Sequence, residues 1–177
     1  MAQTTNYLGK LYIALSDWQN ALDYGLRSEE LIKNLGEEEY LVDVFLNLGS
    51  VYLGIHDLAN GTRYVQQALD LIQRLSPGTQ TEDKGRGLRI LGDIALESGN
   101  QILAQELFNQ AEMVFNEVAN RLERGRLMVS SSRLAKAHTN QLLAKSCLMQ
   151  AQKIFEELGA RLDLVKLEEL KKNLKNL

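Results

Sequence analysis

Few residues in this sequence have the types and spacing that acid–base, metal or nucleophilic chemistry requires. Its two histidines, His56 and His138, each fall in a predicted tight turn between helices, without a cysteine or a second histidine at metal-ligand spacing. Cys147 is the single cysteine, which excludes an internal disulfide and a zinc site built from cysteines. It adjoins the apolar Leu148, so we interpret it as a small core residue and not as a nucleophile.

The carboxylate clusters also have a structural interpretation. Glu37, Glu38 and Glu39 precede an apolar run, where acidic side chains favour the positive end of a helix dipole. The pairs Glu29–Glu30 and Glu156–Glu157 are typical of a solvated helix surface. The sequence contains no phosphate-binding loop, nucleophile elbow or metal motif. We therefore predict a protein that is not an enzyme and that uses no cofactor and no metal.

Composition and charge limit the kinds of partner that the protein is expected to bind. The 177 residues are 45% hydrophobic and 24% charged, which excludes an intrinsically disordered chain. The net charge of −3 argues against general nucleic-acid binding. No stretch approaches the roughly 18 apolar residues that span a bilayer, and no basic segment followed by an apolar run suggests secretion. We expect a cytoplasmic protein that binds neither nucleic acid nor a membrane.

An internal repeat organises the chain. Apolar residues follow the 3.6-residue period of amphipathic helices nearly throughout, without the alternation of strands, which predicts an all-α protein. Four of these helices begin at a polar residue suited to an N-cap, at spacings of 40, 43 and 40 residues. The caps are Asp17, Asp57, Asn100 and Asn140, and a small residue follows each by four positions: Ala21, Gly61, Ala104 and Ala144. We predict that these small residues let paired helices approach closely.

A second helix precedes each cap and carries a recognisable pattern. The pattern reads Leu8-Gly9-x-x-Tyr12, Leu48-Gly49-x-x-Tyr52, Leu91-Gly92-x-x-Ala95 and, in the last copy, Ser131-Ser132-x-x-Ala135. Together with the small residues that follow, it resembles the tetratricopeptide repeat, in a variant with helices longer than those of the common 34-residue form. Similar long-helix repeats occur in bacterial signalling ATPases, transcription activators and scaffold adaptors.

The resemblance implies one domain over residues 1–177, an α-solenoid wound as a right-handed superhelix. Its four repeats would cover approximately residues 2–35, 37–75, 81–118 and 121–158. Residues 160–177 would form a C-terminal capping helix on the fourth repeat, through the stripe Leu167, Leu170, Leu174 and Leu177, with Lys171, Lys172 and Lys175 in solvent. A dimerising helix is the alternative interpretation of that segment.

The resemblance also implies that the first helices of the repeats line a concave groove that binds the partner. The corresponding polar positions are Asn6, Lys10, Asn47, Arg86, Arg89, Arg126, Arg133 and Lys136. Five of them are basic and fall in the C-terminal half, where we count one acidic neighbour, Asp93, with Glu97 at the edge. Because arginine suits carboxylate and phosphate groups, we predict a groove for an acidic partner.

Three functions are compatible with this architecture. The first is a protein-interaction module or scaffold that binds a peptide or partner protein in the groove. The second is a regulatory segment of a larger bacterial signalling protein, in which the groove senses a ligand or a neighbouring domain. The third is an array that self-associates through an uncapped N-terminal end near Met1.

Overall fold

The computed structural model describes residues 2–175, and side chains up to residue 172, and this part of the chain is all-helical. Met1, Asn176 and Leu177 lie outside the described residues, as do the side chains of Leu174 from the predicted C-terminal stripe and of Lys175, which was predicted to lie in solvent. The helices are α1 (Ala2–Ala14), α2 (Trp18–Leu35), α3 (Leu41–Gly54), α4 (Leu58–Leu75), α5 (Glu82–Glu97), α6 (Gln101–Glu117), α7 (Arg121–Ala137), α8 (Gln141–Leu158) and α9 (Arg161–Lys175). A 3₁₀ turn, Glu38–Tyr40, precedes α3.

The same turn joins the helices of four successive pairs. In each turn the residue before the cap has a left-handed backbone, with φ values of 58°, 61°, 83° and 58° at Ser16, His56, Gly99 and Thr139. The cap's side chain accepts a hydrogen bond from the backbone N–H three residues later at 3.1–3.3 Å. The predicted caps are therefore confirmed. The backbone conformation of the turn recurs at the same spacing as the sequence repeat.

The helices pack mainly on their neighbours along the chain. α1 packs on α2, α3 on α4, α5 on α6 and α7 on α8, and each pair contacts the next. The first helices of the pairs also touch one another in order, α1 on α3, α3 on α5 and α5 on α7. The predicted close approach within pairs is confirmed, because Ala21, Ala104 and Ala144 are buried and Gly9 faces the backbone of Ala21.

Three apolar clusters form the core in sequence order. The first joins α1 to α5 around Val44, Leu48 and Val65. The second joins α5, α6 and α7, and the third brings Phe155 of α8 against Leu167 of α9. Stability therefore comes from helices stacked between their neighbours and not from one central core.

No helix among the described residues is both long and apolar enough to cross a membrane. Large apolar side chains are exposed at several places among the described residues, including α1 and the residue that follows it. Tyr7 is 67% exposed, and Leu11 and Leu15 are exposed beside it.

Candidate partner-binding groove

A groove of about 620 Å³ runs along the first helices of the pairs and is bordered at one side by α9. We call it the central groove. Of the eight predicted positions, six line it: Lys10, Asn47, Arg86, Arg89, Arg126 and Arg133. Asn6 joins the same network through hydrogen bonds. Lys136 is exposed at the end of α7 and is not among the residues that line the groove.

Helical spacing explains why one face of each helix supplies these groups. Residues three, four or seven apart share a face. Arg86, Arg89 and Asp93 follow this spacing on α5, and Arg126 and Arg133 follow it on α7. The Asn120 side chain accepts the backbone N–H of Glu123 at 2.9 Å, which fixes the first turn of α7. These helix faces therefore bring charged groups that are distant in sequence into one groove.

Asp43 is the centre of a network at the N-terminal end of the groove. It accepts hydrogen bonds from Asn6 Nδ2 at 2.6 Å and Arg86 Nη1 at 2.9 Å, and pairs with Lys10 Nζ at 2.6 Å. Asn47 donates to Asn6 at 2.9 Å and accepts from Arg86 at 3.2 Å. Burial alone would raise the pKa of Asp43, but the charges of Arg86 and Lys10 outweigh it and hold that pKa below its usual value. The carboxylate is therefore ionised at neutral pH and fixes both cations.

Glu123 has the corresponding position at the C-terminal end. It accepts from Arg89 Nε at 3.2 Å and from Arg126 Nη1 at 2.6 Å, and only 3% of its side chain is exposed. Burial favours a higher pKa for Glu123, but the charges of Arg89 and Arg126 hold that pKa below its usual value. A buried, ionised glutamate thus orients two arginines of the groove.

Asp93 lies between these two networks and is also buried. Its carboxylate accepts from Ser130 Oγ at 3.0 Å, from Arg133 at 3.3 Å and from Arg89 at 3.4 Å. Burial raises the pKa of Asp93 by more than Arg89 and Arg133 lower it. Arg133 also pairs with Glu97 at the more open edge.

The structure corrects the predicted charge of the groove. The sequence interpretation counted one acidic neighbour, Asp93, with Glu97 at the edge, and that count is wrong. Beside the Asp43–Arg86 pair, Glu123 and Asp163 also contact the groove's arginines, so carboxylates offset the cationic groups. Glu123 precedes Arg126 by three residues on one helix, a spacing that the sequence contains and that could have revealed this pair.

α9 contributes residues to the groove that the sequence interpretation placed on an outer cap. Asp163 accepts from Arg126 Nε at 2.8 Å and from Arg126 Nη2 at 3.2 Å. Lys166 Nζ donates to the backbone carbonyl oxygen of Ile13 at 3.2 Å, which links α9 to the end of α1. Burial lowers the pKa of Lys166. The two ends of the helical array therefore meet across the groove.

Among the described residues, no group of three histidine, cysteine, aspartate or glutamate side chains is arranged to hold a metal ion. The side chains of Arg126, Arg133 and Lys10 are partly exposed, although each is paired with a carboxylate. No protein-family model matches the chain, and no curated protein matches its sequence.

Proposed function

We propose that this chain is a non-enzymatic scaffold of the tetratricopeptide type that binds a segment of a partner protein in the central groove. In this proposal the helix pairs wind as an α-solenoid, a right-handed superhelix of four repeats. Its support is the recurrence of one turn geometry at Asp17, Asp57, Asn100 and Asn140, together with the ordered contacts of α1, α3, α5 and α7. The Leu-Gly-x-x-Tyr pattern at the same period agrees with it.

The observation that carries the binding function is the set of partly exposed cationic groups held over one continuous groove. Arg133, Arg126 and Lys10 each pair with a groove carboxylate, which restricts their side chains before any partner arrives. Groups fixed in advance lose little conformational entropy on binding. Ile13, Leu53 and Val129 line the groove between them. This combination suits a peptide in which acidic residues alternate with apolar ones.

The proposal is non-enzymatic because the groove's carboxylates are engaged. Asp43, Asp93 and Glu123 each contact at least one arginine, and Ser130 donates to Asp93. A general base must reach the proton that it abstracts. The lowered pKa values of Asp43 and Glu123 make them weak bases, and the buried Asp93 is held by Ser130, Arg133 and Arg89. The same pairs serve well to orient arginines for recognition.

Binding is tested with peptides of mixed acidic and apolar composition, selected against the full chain by display. Arg133→Gln is expected to weaken the selected peptides by at least about tenfold, the effect of losing one charge-assisted hydrogen bond. The matched control is Arg74→Gln, because Arg74 pairs with Glu38 on the surface and does not line the groove. Fluorescence anisotropy measures Kd for both variants. Equal affinities of wild type and Arg133→Gln would contradict recognition by this groove.

A second candidate, self-association through α1, is favoured by the exposed Tyr7, Leu11 and Leu15. If this surface joins two copies, sedimentation velocity will give a mass that rises with concentration, and Leu11→Asp will return the chain to monomer. Leu142→Asp is the control, since Leu142 is also exposed but lies on α8. A monomer at every concentration would eliminate this candidate.

A further inference from the structure

Arg126 makes a bidentate contact in the central groove, and its partner is in the same chain. Its guanidinium presents two nitrogens to the two carboxylate oxygens of Asp163, at 2.8 and 3.2 Å. This two-pronged geometry is the way arginine recognises a carboxylate on another molecule. Asp163 therefore stands where an acidic side chain of a bound partner would be recognised.

Leu167 gives the same helix an apolar anchor. It is 1% exposed and packs in a cluster with Phe155, Leu148 and Ala151 of α8. Asp163 and Leu167 are four residues apart, so one face of α9 carries both groups. Both residues also line the groove. The surface against which α9 packs therefore recognises a carboxylate and a leucine that are four residues apart on one helix.

α9 is attached less extensively than the other helices. Among consecutive helices, α8 and α9 approach each other over the fewest residues. Val165 of α9 is exposed, and so is Leu162, which lines the groove. A helix held by few buried groups opens locally at a lower cost than the body of the fold.

Lys166 extends the contacts of α9 from α7 to α1. Its amine donates to the carbonyl oxygen of Ile13 at the end of α1, 153 residues earlier. Lys10 and Ile13 of α1 line the same groove as Lys166. α9 therefore links α7 to the end of α1 at the border of the groove, and its release would free the surface around Arg126 and open the contact with α1 at the same time.

We propose that α9 is an internal ligand of the central groove, and that it competes with a partner helix carrying a carboxylate and, four residues later, a leucine. This inference rests on the proposed function, because it assigns the partner to the groove. Binding requires the partner to displace α9, so the partner's observed affinity is lower than that of the open groove.

The test uses the full chain and a fluorescent synthetic peptide with the sequence of residues 160–172. Leu167→Asp in the full chain is expected to release α9, because it places a charge in the apolar cluster. The peptide should bind this open variant at least about tenfold more tightly than wild type, where the tethered helix competes at an effective concentration on the order of mM. Amide hydrogen exchange verifies that α9 is released while α1 to α8 remain protected.

Two controls assign the binding to the proposed contact. A peptide in which Asp163 is replaced by asparagine should bind the open variant about tenfold more weakly, and Arg126→Gln added to the open variant should have a similar effect. Arg121→Gln is the matched control, because Arg121 pairs with the exposed Glu157 and does not line the groove. If Leu167→Asp disturbs more than α9, Asp163→Asn combined with Leu167→Ala serves as the second open variant.

The outcomes separate this inference from the proposed function. If α9 is released and the peptide does not bind, the inference is overturned, whereas Arg133-dependent binding of the selected peptides would still support the groove. If those peptides bind independently of Arg133 while the residue 160–172 peptide requires Arg126, the proposed charge recognition fails and the role of α9 stands. Dimerisation of the open variant by exchange of α9 would assign this surface to a second copy and overturn the inference.

Discussion

Replacing Glu123 with glutamine is expected to lower the free energy of unfolding by about 3 kcal/mol, the lower end of the effect of breaking a buried ion pair. The substitution removes the charge and keeps the size of the side chain. Arg89 and Arg126 would then face a neutral group in a buried position. The loss stays at the lower end because Arg89 retains Asp93 and Arg126 retains Asp163. Urea unfolding monitored by circular dichroism measures the difference.

The matched control for this prediction is Glu157→Gln. Glu157 also pairs with an arginine, Arg121, but 42% of its side chain is exposed. An exposed pair contributes at most about 1 kcal/mol, because water and salt screen it. A similar loss in both variants would mean that burial does not set the strength of the Glu123 pair.

Acid should reduce the effect of Glu123→Gln. The folded protein holds the pKa of Glu123 below its ordinary value of 4.5, so this group adds stability above that value and loses it as the pH falls through the folded pKa. Glutamine does not titrate. The difference between wild type and variant should therefore be complete at pH 7 and shrink steadily below about pH 4.5. An unchanged difference at acid pH would show that the loss is one of packing and not of charge.

The charged groove illustrates what the sequence could and could not predict. The resemblance to the tetratricopeptide repeat placed Lys10, Asn47 and Arg86 on one lining surface, and all three line the central groove. Their pairing did not follow, because Arg86 and Asp43 meet only when α5 packs beside α3. A count of the charged residues at the expected groove positions therefore overestimated how basic the groove is.

For the fold, the turns could be predicted from the sequence, whereas some contacts of the C-terminal helix could not. Asp17 and Asn100 could be identified as caps from local sequence, because capping involves only the next three residues. The amphipathic stripe of α9 predicted a buried face, and Leu167 is buried. The stripe did not predict that Asp163 and Lys166 would reach the groove, because their partners Arg126 and Ile13 are distant in sequence.

Gly92 and Gly9 occupy the same position of the Leu-Gly-x-x-Tyr pattern, yet we expect opposite effects from replacing them with alanine. A Cβ atom at Gly92 would overlap the ring of Phe108 on α6. Phe108 is buried, and its rigid ring cannot move away from the new Cβ atom as the end of a flexible side chain could. Overpacking of this kind costs about 1–3 kcal/mol, and we expect Gly92→Ala to fall near the upper end even after the gain in helix propensity.

A Cβ atom at Gly9 would instead have its nearest neighbours at 3.7 Å, an ordinary contact distance. Gly9→Ala should therefore be neutral or stabilise by up to about 1 kcal/mol, because alanine restricts the unfolded chain and favours the helix. Thermal unfolding of the two variants decides between these expectations. Destabilisation of both by the same amount would mean that the glycine of the pattern is required in every copy and not by its particular neighbour.

A double substitution tests whether the Phe108 ring causes the loss at Gly92. Phe108→Leu removes ring atoms from the side that faces Gly92, at its own cost of about 1 kcal/mol. If the overlap is the cause, Gly92→Ala combined with Phe108→Leu will be less destabilised than the sum of the single changes, by at least about 1 kcal/mol. Additive losses would place the strain of Gly92→Ala elsewhere on the α5–α6 contact. The identity of the facing residue, Phe108 here and Gly25 or Tyr24 beside Gly9, would then not govern how closely the paired helices pack.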